Sequence, residues 1–155
     1  METPARTLEE ALRRTRATAL PRPFGVVGVP PGAGLDLGAL LAGPAPRQVV
    51  CEEDEVTVLG PWEEVQSLAA AGEEGPAGPF AWIRFETPMA WELVGFLGAV
   101  TGALAEEGIS LGAVCGYSRD HVFVPWDRLP EALACLGRLG IAADEAARGD
   151  GTHGS

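Results

Sequence analysis

The chain has 155 residues, 46% of them hydrophobic. It is long enough for one substantial core or two small lobes, and too short for two ordinary independent domains. It carries 22 acidic residues against 11 basic ones, all of them arginine, for a formal net charge of −11. This balance argues against a nucleic-acid partner, which needs clustered cations, and the absence of lysine excludes Schiff-base chemistry and a P-loop lysine.

The N-terminal segment, residues 1–21, mixes acids and arginines without a continuous apolar stretch. This pattern predicts a partly ordered helical extension and not a signal peptide. The longest apolar run, residues 93–105, is too short to span a bilayer. The three cysteines form neither a C-x-x-C pair nor an even set for a disulfide framework, which favours reduced thiols. We therefore expect a cytoplasmic protein with no membrane partner.

An internal repeat organises the rest of the chain. The pair Pro-Phe occurs at residues 23–24 and again at residues 79–80, and a short apolar run follows it each time. The motifs Val-Cys, Asp-x-Val-x-Val and Pro-Trp-acid then follow in the same order after each run. Several motifs that recur in one order indicate an internal duplication, in which Asp54 would match Asp120.

The first copy, residues 22–72, is predicted to be an abbreviated lobe. Its strands are expected at residues 24–29, 48–51 and 56–59, and its helices at residues 35–42 and 62–71. The first helix would have barely two turns. Residues 73–79 are rich in glycine and proline and are predicted to be a linker.

The second copy, residues 80–144, is more complete. Strands are predicted at residues 80–86, 110–115, 121–124 and 141–143, and helices at residues 93–107 and 126–139. The resulting order, βαββαβ, is the ferredoxin-like pattern. The predicted fold class is therefore α+β, with two fused ferredoxin-like lobes of which the first is abbreviated. Residues 145–155 are expected to be a disordered tail.

Three segments of the second copy carry a family resemblance: P-F-A-W-I-R-F-E, W-E-L-V-G-F-L-G-A-V-T-G-A-L-A-E-E-G-I-S and V-C-G-Y-S-R-D-H-V-F-V. They resemble small ACT-like proteins of the tandem-ACT type, and E-E-D-E-V-T-V-L-G-P resembles the stretch usually found upstream in that family. The cytosolic arginine sensors of animal cells are built from similar paired lobes. The resemblance covers residues 24–139.

The resemblance implies a non-enzymatic regulatory or sensor module. ACT lobes typically pair and hold a free amino acid at the interface between them, so a free amino acid or similar small zwitterion is the expected ligand. Relatives self-associate, which implies a homodimer, and the ligand-bound state would be passed to a regulated protein partner. No cofactor is implied.

The turn before the first helix of the second copy is the candidate ligand site. Backbone N–H groups at a helix N-terminus suit an α-carboxylate, and Gly95 would leave room for a close approach. Asp120 stands at the acidic position of the family motif and would meet an ammonium or guanidinium group. The predicted ligand-binding residues are Glu92, Val94, Gly95, Phe96, Val114, Cys115 and Asp120.

A structural reading competes with each of these assignments. Gly95, Gly98 and Gly102 follow helical spacing, and close packing would explain them without a ligand. Asp120, like Asp54, would then only shape a turn. The second hypothesis is therefore a ligand-free module for dimerisation or protein interaction.

A third hypothesis, a small enzyme, would depend on Cys115 and His121. No further histidine or cysteine pair lies close in sequence to complete a catalytic or metal site, so neither kind of site is predicted. The sequence departs from the family at both residues and at Arg119, where an acid or threonine is common. A cation beside Asp120 would weaken a site for basic ligands and favour a ligand carboxylate.

Overall fold

The computed structural model describes residues 3–69, 74–87 and 89–146. This part of the chain forms a mixed α+β fold with five α-helices and eight strands, which confirms the predicted fold class. The chain divides into two compact units. The first unit is Arg22–Ala81, and the second combines Met1–Pro21 with Trp82–Ser155. None of the helices in the described ranges has both the length and the apolar character needed to cross a membrane.

After an N-terminal helix and strand, the elements follow the order βαββαβ twice, with the fifth strand of the chain counted in both lobes. The helices are α1 (Leu8–Arg14), α2 (Leu37–Ala42), α3 (Trp62–Leu68), α4 (Phe96–Glu106) and α5 (Leu129–Arg138). The strands are β1 (Arg16–Ala19), β2 (Phe24–Val29), β3 (Gln48–Cys51), β4 (Val56–Pro61), β5 (Ala77–Phe85), β6 (Gly112–Cys115), β7 (Asp120–Pro125) and β8 (Ala142–Glu145). A 3-10 turn, Trp126–Arg128, precedes α5.

The first unit has the strand order β3-β4-β2-β5. Its fourth strand is the beginning of β5, where Phe80 lies opposite Phe24 and Ala77 lies opposite Val26. This strand begins inside residues 73–79, which were predicted to be a linker. Gly78 and Pro79 hid it in the sequence, but they lie where the register between β2 and β5 shifts, and proline is tolerated at such an irregularity of the ladder. The core of this unit contains Val27, Val29, Leu40, Val58 and Val65.

The second unit has the strand order β6-β7-β5-β1-β8. Strand β1 runs antiparallel to β5, with Ala17 opposite Phe85, and parallel to β8, with Ala17 opposite Ala143. The N-terminal segment therefore contributes a strand between the first and last strands of the lobe and is more than a helical extension. Its sequence, Arg-Ala-Thr-Ala, is too short and too small to show a strand period.

Helix α4 begins three residues later than predicted. Gly95 has φ +95°, a left-handed conformation that a regular helix does not contain. The preceding residues form a turn in which the Leu93 N–H donates to the Ala90 carbonyl at 2.9 Å. The predicted helix at residues 126–139 also differs, because it begins as a 3-10 turn. Glu145, predicted to open the tail, belongs to β8, and residues 147–155 lie outside the described residues, as do residues 70–73.

The two copies have matching backbone features from the hairpin to the start of the second helix. Each hairpin is closed by the same bond, from Glu52 N–H to the Glu55 carbonyl at 2.8 Å and from Gly116 N–H to the Arg119 carbonyl at 2.9 Å. Pro61 and Pro125 precede their helices with φ −51° in both cases and ψ 138° and 136°. The copies therefore align without a gap over this stretch.

This alignment corrects the expected match between Asp54 and Asp120. Cys51 lies opposite Val56 in the first hairpin, and Cys115 lies opposite Asp120 in the second. Asp120 thus corresponds to Val56, whereas Asp54 lies in the turn between β3 and β4. The shared Asp-x-Val-x-Val letters are displaced by two positions, a shift that leaves the strand period of two unchanged and so was invisible in the sequence.

The position of β1 predicts a strong effect of a charge within it. Ala17 is 0% exposed, so Ala17→Asp buries a carboxylate without a partner and is expected to lower the free energy of unfolding by at least about 3 kcal/mol. Ala142→Asp places the same side chain at an exposed position of β8 and should change the free energy of unfolding by less than about 0.5 kcal/mol. Chemical denaturation of both variants measures the difference. Equal stabilities would contradict the assignment of β1 to the sheet.

Candidate functional site

The second unit contains a cavity of about 260 Å³ at the N-terminal end of α4. One wall is the turn and first helical residues, 89–91, 93 and 95–98. The other wall is the end of the β6–β7 hairpin, residues 115–120. The cavity therefore brings together two segments that the sequence analysis associated with a ligand.

The structure places four of the seven predicted ligand-binding residues at this cavity. Gly95, Phe96, Cys115 and Asp120 line it. The other three, Glu92, Val94 and Val114, do not. Glu92 and Val94 are exposed residues of the turn before α4, and Val114 lies on the other face of β6 from Cys115 because side chains alternate along a strand.

The helix wall presents backbone donors. Ala99 N–H makes the first helical bond, to the Gly95 carbonyl at 2.8 Å, so the N–H groups of Phe96, Leu97 and Gly98 have no partner within the helix. The N-cap residue of α4 is Gly95, which has no side chain with which to cap this terminus. The ring of Phe96 packs edge-on against Phe85 with centroids 5.2 Å apart, which holds the first turn of the helix against β5.

Gly95 is required by its backbone conformation and not by lack of space. A Cβ atom at this position would lie 3.6 Å from Leu8 Cδ2, an ordinary contact, but φ +95° is unfavourable for any L side chain. Close packing does not account for Gly98 and Gly102 either. A Cβ atom at each would meet no described atom within 4 Å.

The hairpin wall presents a carboxylate and a thiol side by side. Cys115 and Asp120 are cross-strand neighbours, so the thiol lies beside the carboxylate. Interaction with the Asp120 carboxylate and, to a smaller extent, burial raise the pKa of the Cys115 thiol. Asp120 therefore favours the neutral thiol, the opposite of an activated nucleophile.

His121 faces away from Cys115 and contacts the aromatic core. The indole Nε1 of Trp82 donates to His121 Nδ1 at 3.0 Å, so the ring accepts at this nitrogen. Burial lowers the pKa of His121, and the positive charges of Arg119 and Arg84 lower it further. Because neighbours along β7 point to opposite faces, His121 cannot serve Cys115 as a base. In residues 3–69, 74–87 and 89–146, no group of three or more His, Cys, Asp and Glu side chains is placed to hold a metal ion.

Arg119, Trp91 and Tyr117 line the cavity but were not among the predicted ligand-binding residues; of these, only Arg119 was discussed from the sequence, as the cation beside Asp120. Arg119 and Asp120 are the charged side chains among the described residues of the lining, so the cavity has one charge of each sign. Trp91 and Tyr117 also line it and are 76% and 96% exposed. Both aromatic residues lie in loops without periodicity, where only their apolar character, unusual for exposed turns, was a signal.

The corresponding region of the first unit has different chemistry. The N-terminus of α2 is capped by its own Asp36, whose carboxylate accepts from Ala39 N–H at 3.0 Å. Val56 takes the position of Asp120, and Glu55 takes that of Arg119. The pair of opposite charges is therefore specific to the second copy.

The glycine just before α4 and a glycine inside it provide a matched stability test. Gly95→Ala forces an L side chain into a left-handed conformation and should lower the free energy of unfolding by roughly 1–2 kcal/mol. Gly102→Ala lies in the helix interior with open space around its Cβ and should raise it by up to about 1 kcal/mol. Thermal or urea unfolding gives both values. A stabilising Gly95→Ala would disprove the left-handed start of α4.

The contact between Cys115 and Asp120 can be tested by alkylation. Asp120→Asn removes the negative charge beside the thiol, so the pKa of Cys115 should fall and its thiolate fraction at a given pH should rise. Iodoacetamide should then modify Cys115 faster, while the rate at the exposed Cys51 stays the same and serves as the internal control. An unchanged pH profile of Cys115 modification would contradict the contact.

Part of the chain is similar to a known domain family. The family model described as the ACT domain matches residues 79–138, a span that includes both walls of the cavity. No curated protein matches the sequence.

The fold is similar to that of several solved structures. A protein of Agrobacterium tumefaciens is 18% identical, with a TM-score of 0.71 over 87% of this chain and 96% of that one. A Vibrio cholerae protein of unknown function, described as a possible transport protein, is 26% identical, with a TM-score of 0.68 over 86% of this chain and 95% of that one. The ligand-free regulatory subunit of aspartate kinase from Thermus thermophilus is 13% identical, with a TM-score of 0.58 over 81% of this chain and 95% of that one. The described fold is thus one that regulatory subunits also adopt.

Proposed function

We propose that this chain is a non-enzymatic regulatory module that binds a free amino acid, or a similar small zwitterion, in the cavity of the second unit. The observation that carries the proposal is the pair of opposite charges, Arg119 and Asp120, beside the uncapped N-terminus of α4. A zwitterion needs both signs of charge within a small site. The ACT-domain match over residues 79–138 supports it, since ACT domains are regulatory modules that bind small molecules.

Each charged group of the ligand has a partner in this proposal. The α-carboxylate accepts from the N–H groups of Phe96, Leu97 and Gly98, where the helix dipole favours negative charge, and Arg119 adds a cation. The α-ammonium donates to the carboxylate of Asp120.

The size of the cavity favours a small ligand. Pockets for drug-sized molecules usually measure roughly 300–1,000 Å³. The cavity here, at about 260 Å³, lies just below that range. Because Asp36 caps α2 and the hairpin of the first unit is acidic, one ligand per chain is expected.

We further propose that the two units are tandem ACT lobes and that the chain acts in the cytoplasm as a homodimer that passes its ligand-bound state to a regulated protein. The three cysteines are free, as reduced thiols of a cytosolic protein would be. A second candidate function, a ligand-free interaction module, is favoured by the exposure of Trp91 and Tyr117 beside the cavity.

A thermal shift screen against the twenty amino acids tests the proposed function. At a hundred times its dissociation constant, a ligand stabilises the folded protein by about 2.7 kcal/mol, so at least one amino acid should raise the unfolding midpoint. Asp120→Ala should abolish the rise. Asp54→Ala changes an exposed carboxylate in the hairpin of the first unit and should preserve it. Calorimetry should give one site per chain.

Protection of Cys115 from alkylation locates the ligand. Because Cys115 lines the cavity, the amino acid that raises the midpoint should slow its modification and leave that of Cys51 unchanged. If no amino acid raises the midpoint, the proposal fails in favour of the interaction module. If one does but Asp120→Ala still binds it, the site lies elsewhere.

A further inference from the structure

We infer that the ligand is an amino acid with an apolar side chain, and that Trp91 and Tyr117 bind this side chain. The inference rests on the proposed function and specifies its ligand class. It concerns the part of the cavity that the α-carboxylate and α-ammonium do not use.

The helix wall of the cavity carries no charged side chain among the residues described there. Its side chains are apolar and include Met89, Trp91, Leu93 and Leu97. Glu92 belongs to the same segment but does not line the cavity. A charged ligand side chain placed against this wall would lose water without gaining a partner, which is costly. Aspartate, glutamate, lysine and arginine are therefore poor matches.

The charges on the opposite wall are already engaged by the main-chain groups of the ligand. Arg119 faces the carboxylate and Asp120 faces the ammonium in the proposed binding mode. A second charge on the ligand would compete for one of them. The apolar wall is therefore the surface that remains for the side chain of the ligand.

The exposure of the two aromatic residues indicates where that contact is made. Trp91 is 76% exposed on the helix wall, and Tyr117 is 96% exposed at the tip of the hairpin wall. Both residues line the cavity, and an apolar ligand side chain in contact with them would remove apolar area of the rings from water. Aromatic rings also allow offset or edge-on stacking, so a phenylalanine side chain would gain additional contact energy.

Isothermal titration calorimetry on the full chain with phenylalanine, leucine, alanine, arginine and glutamate tests this inference. Phenylalanine and leucine should bind at least about tenfold more tightly than alanine, because an apolar pocket discriminates by the methylenes it buries. Arginine and glutamate should bind more weakly than alanine.

Variants assign the side-chain contact. Trp91→Ala should raise the Kd for phenylalanine about tenfold and change the Kd for alanine less than about twofold, since alanine does not reach the ring. Tyr117→Ala should act in the same direction. Val94→Ala is the matched control, because Val94 is 85% exposed in the same turn but does not line the cavity. Phenylalanine should also shift tryptophan emission to shorter wavelength in the wild type and not in Trp91→Ala.

The outcomes separate this inference from the proposed function. Tightest binding of arginine or glutamate would overturn the apolar ligand class and leave amino-acid binding intact. Equal weakening of phenylalanine and alanine by both aromatic variants would show that these rings do not contact the ligand side chain, which also overturns the inference. Absence of binding by every amino acid would overturn the proposed function together with the inference.

Discussion

Two aromatic side chains of β5 hold both walls of the candidate cavity in place. Phe85 packs edge-on against Phe96, the first residue of α4, with ring centroids 5.2 Å apart. Trp82 donates to His121 at 3.0 Å and packs against Phe123, with centroids 4.7 Å apart, so it positions β7. Since side chains alternate along a strand, Phe85 and Trp82 act on opposite faces of β5. One strand thus orients the helix terminus and the hairpin.

The two copies have matching backbones but different polar groups at equivalent positions. Equivalent hairpin bonds and equivalent prolines of the two copies are separated by the same number of residues, from the hairpin to the proline before the second helix. In the first copy, Asp36 satisfies its own helix terminus, and Arg47 forms a two-pronged ion pair with Glu64 at 2.7 and 3.0 Å. In the second copy, the helix terminus is uncapped and Arg119 and Asp120 face a cavity. The first copy thus caps its helix terminus with its own side chain, whereas the second copy has Gly95 at the equivalent position and two opposite charges beside it.

Several parts of the site were within reach of sequence reasoning, and others were not. Gly95 and Phe96 were predicted from the start of the helix and Asp120 from the family motif, and the structure places these residues with Cys115 at one cavity. Glu92 and Val94 were included because the apolar period extends through residue 93, and periodicity does not register a left-handed glycine that delays the helix. Trp91 and Tyr117 stand alone in turns, so no period or motif placed them at a common cavity.

The sequence by itself determined the α+β class and the second hairpin and indicated a repeat, because strand and helix periods and repeated motifs are local properties of the chain. Only the tertiary structure decided that β1 lies between β5 and β8, that Asp120 corresponds to Val56, and that Cys115 and His121 face opposite ways. These features depend on which strands pair and in which register. Pairing is set by burial and hydrogen bonding between residues far apart in the chain, and a one-residue change of register turns every side chain to the other face.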